Sequence, residues 1–530
     1  MTKFKVASVF SSNMVLQRNK PIAVFGEGED GKIVKAIINY NVDGEALSAE
    51  AEAVVSGGKW LLYLPEMKAN TDCSMVVSDG ENSKEFMNIA IGEVWFCGGQ
   101  SNMELELQNM AGGAEHLAND NPNVRFYYTQ KNGFMDETFF TNEAMMVWKE
   151  FDSESAKCWS AVGYLFGKQL SEALGVTVGL IGCNWGGTSA SAWMSEEYLA
   201  SDPDTNTYLE DYYKQIEGKT EAEQIKEYDD YLAFEAEWNK KQAECYAKNP
   251  NISWDEVQEI CGPCQWPGPM GCKNPFRPNG LYKTMVNRVT PYSMRGWIYY
   301  QGESDDHKPT YYDKLLTLLI KQWRNDWNDE EMPFLFVQLP GHQYSADPDY
   351  KHWCLVREAQ AKVAENVHNT GMAVIIDAGE FNEIHPKDKV PVADRLYRQA
   401  MHKVYGKMSP WEAESPSYAG FIVEDEHVMV SFKNEDMGLV SKMDEIVGFE
   451  LAGEDMIYYE ARAEIVGKKV LVSCDKVSKP VAVRYLWTNY PKKGVALYSK
   501  SGLPVAPFRS VKDENDITHH ETQIQQVMEL

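Results

Sequence analysis

The chain has 530 residues, 44% of them hydrophobic and 12% aromatic, which is ample material for large cores and argues against disorder. On a soft scale of about 150 residues per domain, this length implies three or four domains. With 51 basic against 79 acidic residues the formal net charge is -28, a field that repels nucleic acid and anionic membrane surfaces, so neither is expected as a partner. No stretch approaches the ~20 uninterrupted apolar residues that a membrane-spanning helix needs. Several of the ten cysteines (Cys97, Cys183, Cys354, Cys474) fall inside apolar runs, which suits a reducing compartment. The first residues lack the apolar core and small-residue signature of a leader, so a cytoplasmic location is expected unless a leader has been removed.

Residues 1–88 read as an all-β sandwich. Pro21 to Gly26, Trp60 to Pro65 and Cys73 to Ser78 are short apolar runs with turn residues between them. From 89 to 414 strands alternate with helices, the pattern of a parallel sheet covered by helices. Its strand candidates are 93–97, 178–183, 295–301, 333–338 and 371–377, with helices from Val162 to Leu174 and from Tyr311 to Trp327. Two insertions are expected in this region. Residues 108–150 are loop-rich, and residues 195–260 are helical and acidic. In the second, Tyr208, Tyr212, Tyr213, Tyr228, Tyr231, Phe234, Trp238 and Tyr246 largely recur at three- and four-residue spacing, as expected of a packed helical hairpin. A lid or sugar-stacking role is the alternative. Residues 415–512 return to short punctuated strands, a second β module, and 513–530 form a polar tail.

The stretch Glu93 to Glu104 organises the chemistry. A short apolar strand is broken by Gly98 and Gly99, and Ser101 follows at the strand's carboxyl end, where open α/β sheets place their sites. Gly99-Gln100-Ser101-Asn102-Met103 resembles the nucleophile block of the SGNH hydrolases, in the form seen in the sialate O-acetylesterase family of carbohydrate esterases. Further blocks match in order: Gly179 to Thr188, Trp297 to Asp305, and Ile384-His385-Pro386-Lys387. The flanks Met14 to Arg18 and Gly502 to Arg509 match too. The likeness covers nearly the whole chain and implies an SGNH-like three-layer α/β/α catalytic domain flanked by β-sandwich modules. It implies a serine esterase that removes acetyl groups from an acetylated carbohydrate, O-acetylated sialic acid first and plant glycans second.

An activated serine needs a base, preorganised oxyanion donors and something to orient the base. Ser101 is the candidate nucleophile and His385 the candidate base, its backbone freedom limited by Pro386. The oxyanion donors expected are the backbone N–H of Ser101, the N–H of Gly187 in a Gly-Gly turn, and the side-chain amide of Gln301. The resemblance puts Gln301 where the wider SGNH group has an asparagine. One departure stands out: the aspartate usual three residues before the histidine is here Asn382. Glu383 could reach the ring as a third member, or a backbone carbonyl could accept the imidazole N–H and leave a Ser-His dyad; the dyad is favoured.

Rival readings are weaker. Glu303 and Asp305 raise the paired carboxylates of a glycosidase, although such residues usually bond locally, and Arg18 and Arg295 are possible partners for them. Cys245, Cys261, Cys264 and Cys272 invite structural zinc, but their spacing is irregular. No cofactor or metal is expected. A carbohydrate-binding protein with an esterase shape remains the alternative from another class.

Overall fold

The computed structural model describes residues 4–250, 252–345 and 348–511, and the expected tail from 513 lies outside them. These residues divide into two compact units. One is built from the chain up to Thr129, Met146–Ala190 and the chain from Val289 onward; the other is Gln130–Met145 with Ser191–Arg288.

The first unit is organised by one parallel sheet. Its strands are β1 (Ser83–Gly99), β2 (Val124–Tyr128), β3 (Val178–Asn184), β4 (Gly296–Tyr300), β5 (Phe334–Gln338) and β6 (Thr370–Val374), in the order β2-β3-β1-β4-β5-β6. Every neighbouring pair is parallel. Five of the six strands are where the apolar runs put them. The sixth, β2, lies inside 108–150, which the sequence marks as loop-rich: Val-Arg-Phe-Tyr-Tyr carries a charge at a buried position. Arg125 is accommodated because its guanidinium donates to the carbonyls of Asn13 (3.1 Å) and Asn88 (2.5 Å), partners distant in sequence.

Alternate side chains of β1 pack against different helices, as the two-residue period of a strand requires. The ring of Trp95 meets Phe166 of the helix α2 (Ala161–Leu174) at 5.2 Å, after the one-turn helix α1 (Ser101–Glu104). Gly163 and Gly167 let α2 come close, since a Cβ there would sit 3.1 Å from the Cys97 sulfur and 2.9 Å from Leu180. Phe96 points the other way, 5.3 Å from Trp323 of α3 (Tyr312–Asp326), which also contacts Trp297, Tyr299 and Phe334. Such aromatic contacts add about 0.5–1.5 kcal/mol each beyond area burial. Helix α4 (His352–Asn366) packs on α3, and α5 (Val390–Lys403) packs on α2 and β6.

β1 is long because it serves two sheets. Its first half pairs antiparallel with Asn70–Ser78 and parallel with Val15–Gln17, and then continues without a break into the parallel sheet. Where the two halves meet, Glu93 is fully buried. Its carboxylate takes hydrogen bonds from Arg18 (2.7 Å), Arg295 (2.8 Å), Gln17 (3.2 Å) and the Tyr405 hydroxyl (3.1 Å). This corrects one expectation: Arg18 and Arg295 serve Glu93, not Glu303 and Asp305. Of the other early strands, Lys5–Val6, Ile22–Glu27 and Lys59–Leu64 form a three-stranded antiparallel sheet, and Ile33–Val42 pairs with Glu45–Val54 in a hairpin and with Asn70–Ser78. Beyond α5, two four-stranded antiparallel sheets enclose a core of Val428, Val430, Phe449, Val470, Val483 and Phe508. Val374 and Ile376, at the end of β6, join that core.

The second unit is helical. Its longest helix, Glu221–Lys248, starts with a capping box between Thr220 and Glu223 and buries Tyr228, Tyr231, Trp238 and Cys245 along one stripe. The Trp238 indole donates to the Gly262 carbonyl (2.9 Å), tying this helix to Trp254–Cys261.

Candidate active site

Ser101 stands at the carboxyl end of the central strand. Gly99 makes the exit possible: its φ is +134°, and a Cβ there would lie 2.1 Å from the Tyr300 carbonyl oxygen. The adjoining backbone is fixed from both sides. The Gln100 N–H donates to the Tyr300 carbonyl (3.0 Å) and the Trp185 N–H to the Gly99 carbonyl (3.1 Å). The ends of β3 and β4 thus flank the serine, each delivering one of the other motif blocks.

His385 arrives from the loop after β6. Its Nε2 lies 2.8 Å from Ser101 Oγ, so two residues 284 positions apart form the nucleophile–base contact. Burial pushes the imidazole below its ordinary titration range, and the charge of Glu383 only partly counters this. A neutral ring at neutral pH is the form that can accept a proton.

Glu383 does not sit as a third triad member would. Its Oε1 accepts the backbone N–H of His385 at 2.7 Å and lies 3.7 Å from Nδ1, beyond hydrogen-bond range. Asn382 faces other work. It adopts a left-handed φ of +65°, donates its N–H to the Gln343 carbonyl (3.0 Å) and accepts the Ser345 N–H on its side chain (2.9 Å). Glu380 braces the loop by accepting the Lys387 N–H (3.1 Å).

The expected oxyanion donors differ in what they already bond. Among the described residues, neither the Ser101 N–H nor the Gly187 N–H donates to a protein acceptor. Gly186 presses against the serine, since a Cβ there would be 3.1 Å from that of Ser101, and its N–H donates to Glu104 Oε2 at 2.5 Å. Gly187 follows at φ +75°. Gln301 departs from expectation. Buried to 1% exposure, its amide nitrogen has three acceptors for two hydrogens: Asp305 Oδ2 (2.6 Å), Gln100 Oε1 (3.2 Å) and the Thr188 carbonyl (3.2 Å). Its carbonyl oxygen accepts the Tyr312 hydroxyl (2.8 Å). Its donors are spent on the floor of the site, so Gln301 has none left for an oxyanion.

The carboxylates beside Gln301 are also occupied internally. Asp305 takes the Ser189 hydroxyl (2.5 Å), the Ala190 N–H (2.9 Å) and Gln301. Glu303 is buried, which raises its pKa, and accepts the Asn102 amide at 2.6 Å. Neither has the solvated face that a glycosidase pair needs. Among the described residues no three His, Cys, Asp or Glu side chains converge as metal ligands. Cys245 and Cys261, 3.9 Å apart, pack with Trp238 and Val257.

Sequence reasoning gave no role to Asn102, Glu104 or Lys389. Asn102 sits inside the nucleophile block and Glu104 three residues after the serine on one helical turn, which is a usable signal. Lys389, in Lys387-Asp388-Lys389, looks like surface yet is fully buried, and burial pushes its ammonium down to about 8.

The chain has relatives among known esterases. A family model described as carbohydrate esterase, sialic acid-specific acetylesterase matches residues 269–390. The mouse sialate O-acetylesterase is 24% identical over 95% of this chain and 94% of its own length; the human protein is 24% identical over 95% and 92%. The crystal structure of a carbohydrate acetylesterase from Xanthomonas citri superposes with a TM-score of 0.73 at 25% identity, covering 96% of this chain and all of that one. The chain is therefore similar over nearly its whole length to sialate O-acetylesterases and to a carbohydrate acetylesterase, and it is a carboxylic ester hydrolase.

Proposed function

We propose that this protein removes O-acetyl groups from a carbohydrate, O-acetylated sialic acid before others, through an acetyl-serine intermediate. The observation that carries the reading is the 2.8 Å contact of Ser101 Oγ with His385 Nε2 at the mouth of the central strand. In the proposed reaction His385 takes the hydroxyl proton as Oγ attacks the acetyl carbonyl. The N–H groups of Ser101 and Gly187 hold the oxyanion. Collapse expels the sugar oxygen, which receives the proton from His385. Water, deprotonated by the same ring, then releases acetate.

Ser101 and His385 act as a dyad in this reading, with the ring aligned by its loop. The catalytic domain is taken as an SGNH-like three-layer structure spanning 89–414, with β-sandwich modules at 1–88 and 415–512. The opposite facing of Trp95 and Phe96 toward α2 and α3 supports the layers. A cytoplasmic location is proposed from thiols buried in core elements, Cys97 and Cys354. Acetylated plant glycans stand as the second substrate class, and the Xanthomonas relative, a carbohydrate acetylesterase, is consistent with a sugar other than sialic acid.

The test is Ser101→Ala with an aryl acetate and a panel of acetylated sugars. Hydrolysis should fall to the residual level that binding and oxyanion contacts alone provide, about 10³–10⁴-fold over water. Near-normal turnover by the variant would sink the assignment. A parent protein that releases no acetate from any substrate would instead be a carbohydrate-binding protein.

A further inference from the structure

Beneath Ser101 runs a buried polar chain that the reaction above does not use. Lys389 Nζ donates to Asn102 Oδ1 at 2.6 Å. Asn102 Nδ2 donates to Glu303 Oε1 at 2.6 Å and to the Ile384 carbonyl at 3.0 Å. Asn102 and Lys389 are fully buried and Glu303 is 5% exposed. The second oxygen of Glu303 is buried with no partner among the described residues, and the Lys389 ammonium otherwise faces the Tyr300 ring, 5.5 Å from its centroid.

The placement is informative. Asn102 follows the nucleophile, Ile384 precedes the base, Glu303 follows β4, and Lys389 stands at the start of α5. One amide thus joins the serine segment to the histidine loop, with a cation on one side and a carboxylate on the other. A packed apolar cluster would hold these elements together at lower desolvation cost, because buried charges are expensive unless well partnered. What apolar packing does not provide is direction: hydrogen bonds fix the Asn102 amide in one orientation, and with it the spacing between Ser101 and His385. The need is specific to this site, where Glu383 is 3.7 Å from Nδ1 and bonds the loop backbone instead.

We propose that Lys389 and Glu303 are positioning residues, which through the Asn102 amide hold the His385 loop in register with Ser101 in place of a third triad member. The proposal rests on the esterase reading, since it assigns the relay to the Ser101–His385 alignment. It differs from a purely structural role in one respect: activity should follow the relay and not the overall stability of the fold.

The experiment compares Lys389→Met, Glu303→Gln and the double variant with the parent, using an aryl acetate. Rates are expressed per serine that reacts with an organophosphate, so unfolded protein does not pass for slow enzyme. Each single change leaves a buried charge without its counterpart and should lower the melting temperature; the double change removes both charges and should recover it. If the relay positions the base, kcat of the double variant stays at least tenfold below the parent while KM changes less than threefold. Recovery of kcat to within tenfold, in step with the melting temperature, would overturn the proposal. So would a folded Lys389→Met variant that loses less than tenfold in kcat. Should the single variants fail to fold, the double variant still decides, since it carries no buried unpaired charge. A parent without esterase activity would refute the esterase reading and the relay with it, whereas recovery of kcat in an active parent's double variant refutes the relay alone.

Discussion

Replacing Glu383 by glutamine separates a dyad from a triad. The substitution removes the charge but keeps an oxygen able to accept the His385 backbone N–H, so the loop contact at 2.7 Å is preserved. The carboxylate lies 3.7 Å from Nδ1, and the two side chains are 40% and 39% exposed. At that exposure a water-like dielectric applies, and two unit charges at this distance interact by about 1 kcal/mol. If all of that helped the imidazolium of the transition state, kcat would fall by less than about tenfold. Losing a true third member costs about 10⁴-fold in serine proteases. The pH profile gives a second readout. Burial already holds His385 below its ordinary range and Glu383 pulls it back up, so the acid limb of kcat/KM should move to lower pH in the variant. The assay is aryl acetate hydrolysis from pH 4 to 9, with circular dichroism as the control for folding. A loss of a thousandfold or more in a folded variant would refute the dyad and make Glu383 the acid of a triad.

Two further predictions concern the frame. Glu93→Gln leaves the half-buried Arg18 and Arg295 beside a neutral amide and should cost about 3 kcal/mol in denaturant unfolding, the low end for breaking a buried pair; a loss below about 1 kcal/mol would show that the hub is dispensable. Burial alone would raise the Glu93 pKa, but Arg295, then Arg18 and Gln17, hold it below the ordinary value. Its contribution is therefore complete above the unfolded carboxylate pKa and fades as the pH falls through the lower folded one, a decline that Glu93→Gln should lack. Gly99→Ala, with a methyl 2.1 Å from the Tyr300 carbonyl and φ at +134°, should lose at least about 2 kcal/mol together with activity, and unchanged unfolding would contradict the close approach.

What could be read from sequence was what short-range chemistry determines. The run Val94-Trp95-Phe96-Cys97 has strand propensity along its length, and the glycine pair after it marks where the strand ends, although both glycines still pair within β1, so the serine's place at a strand end follows. Long-range pairing left no local trace. β2 was hidden because Arg125 looks like a surface charge until Asn13 and Asn88 supply carbonyls for it. Arg18 and Arg295 could be recognised as needing a carboxylate, yet Glu93 is 75 and 202 positions from them, and Glu303 and Asp305, close to Arg295 along the chain, looked equally good. Gln301 illustrates the same gap at the site. Its position in a motif suggests a donor, whereas the three acceptors that consume its hydrogens come from three separate segments. Lys389 had no signal at all, because hydrophilic neighbours on the chain do not report burial by the fold.

The charge of the chain bears on the substrate in a way the site geometry can qualify. A net charge of -28 disfavours an anionic sugar at long range, which counts against sialic acid. The objection weakens at contact, since charges more than a Debye length away, about 8 Å at physiological ionic strength, are largely screened. Beside the base the nearby cations are Lys387, exposed on the loop two residues after His385, and the buried Lys389; both act on the ring against the carboxylate of Glu383. The two fields predict opposite salt effects. Were long-range repulsion in control, added salt would lower KM for an O-acetylated sialic acid. With the loop lysines in control, salt should raise that KM while leaving KM for an acetylated neutral sugar unchanged. Steady-state kinetics between 20 and 500 mM salt distinguish the two. A KM for the sialic acid ester that falls with salt would show that the local cations do not govern its binding, and would move the acetylated neutral glycans ahead of it as substrates.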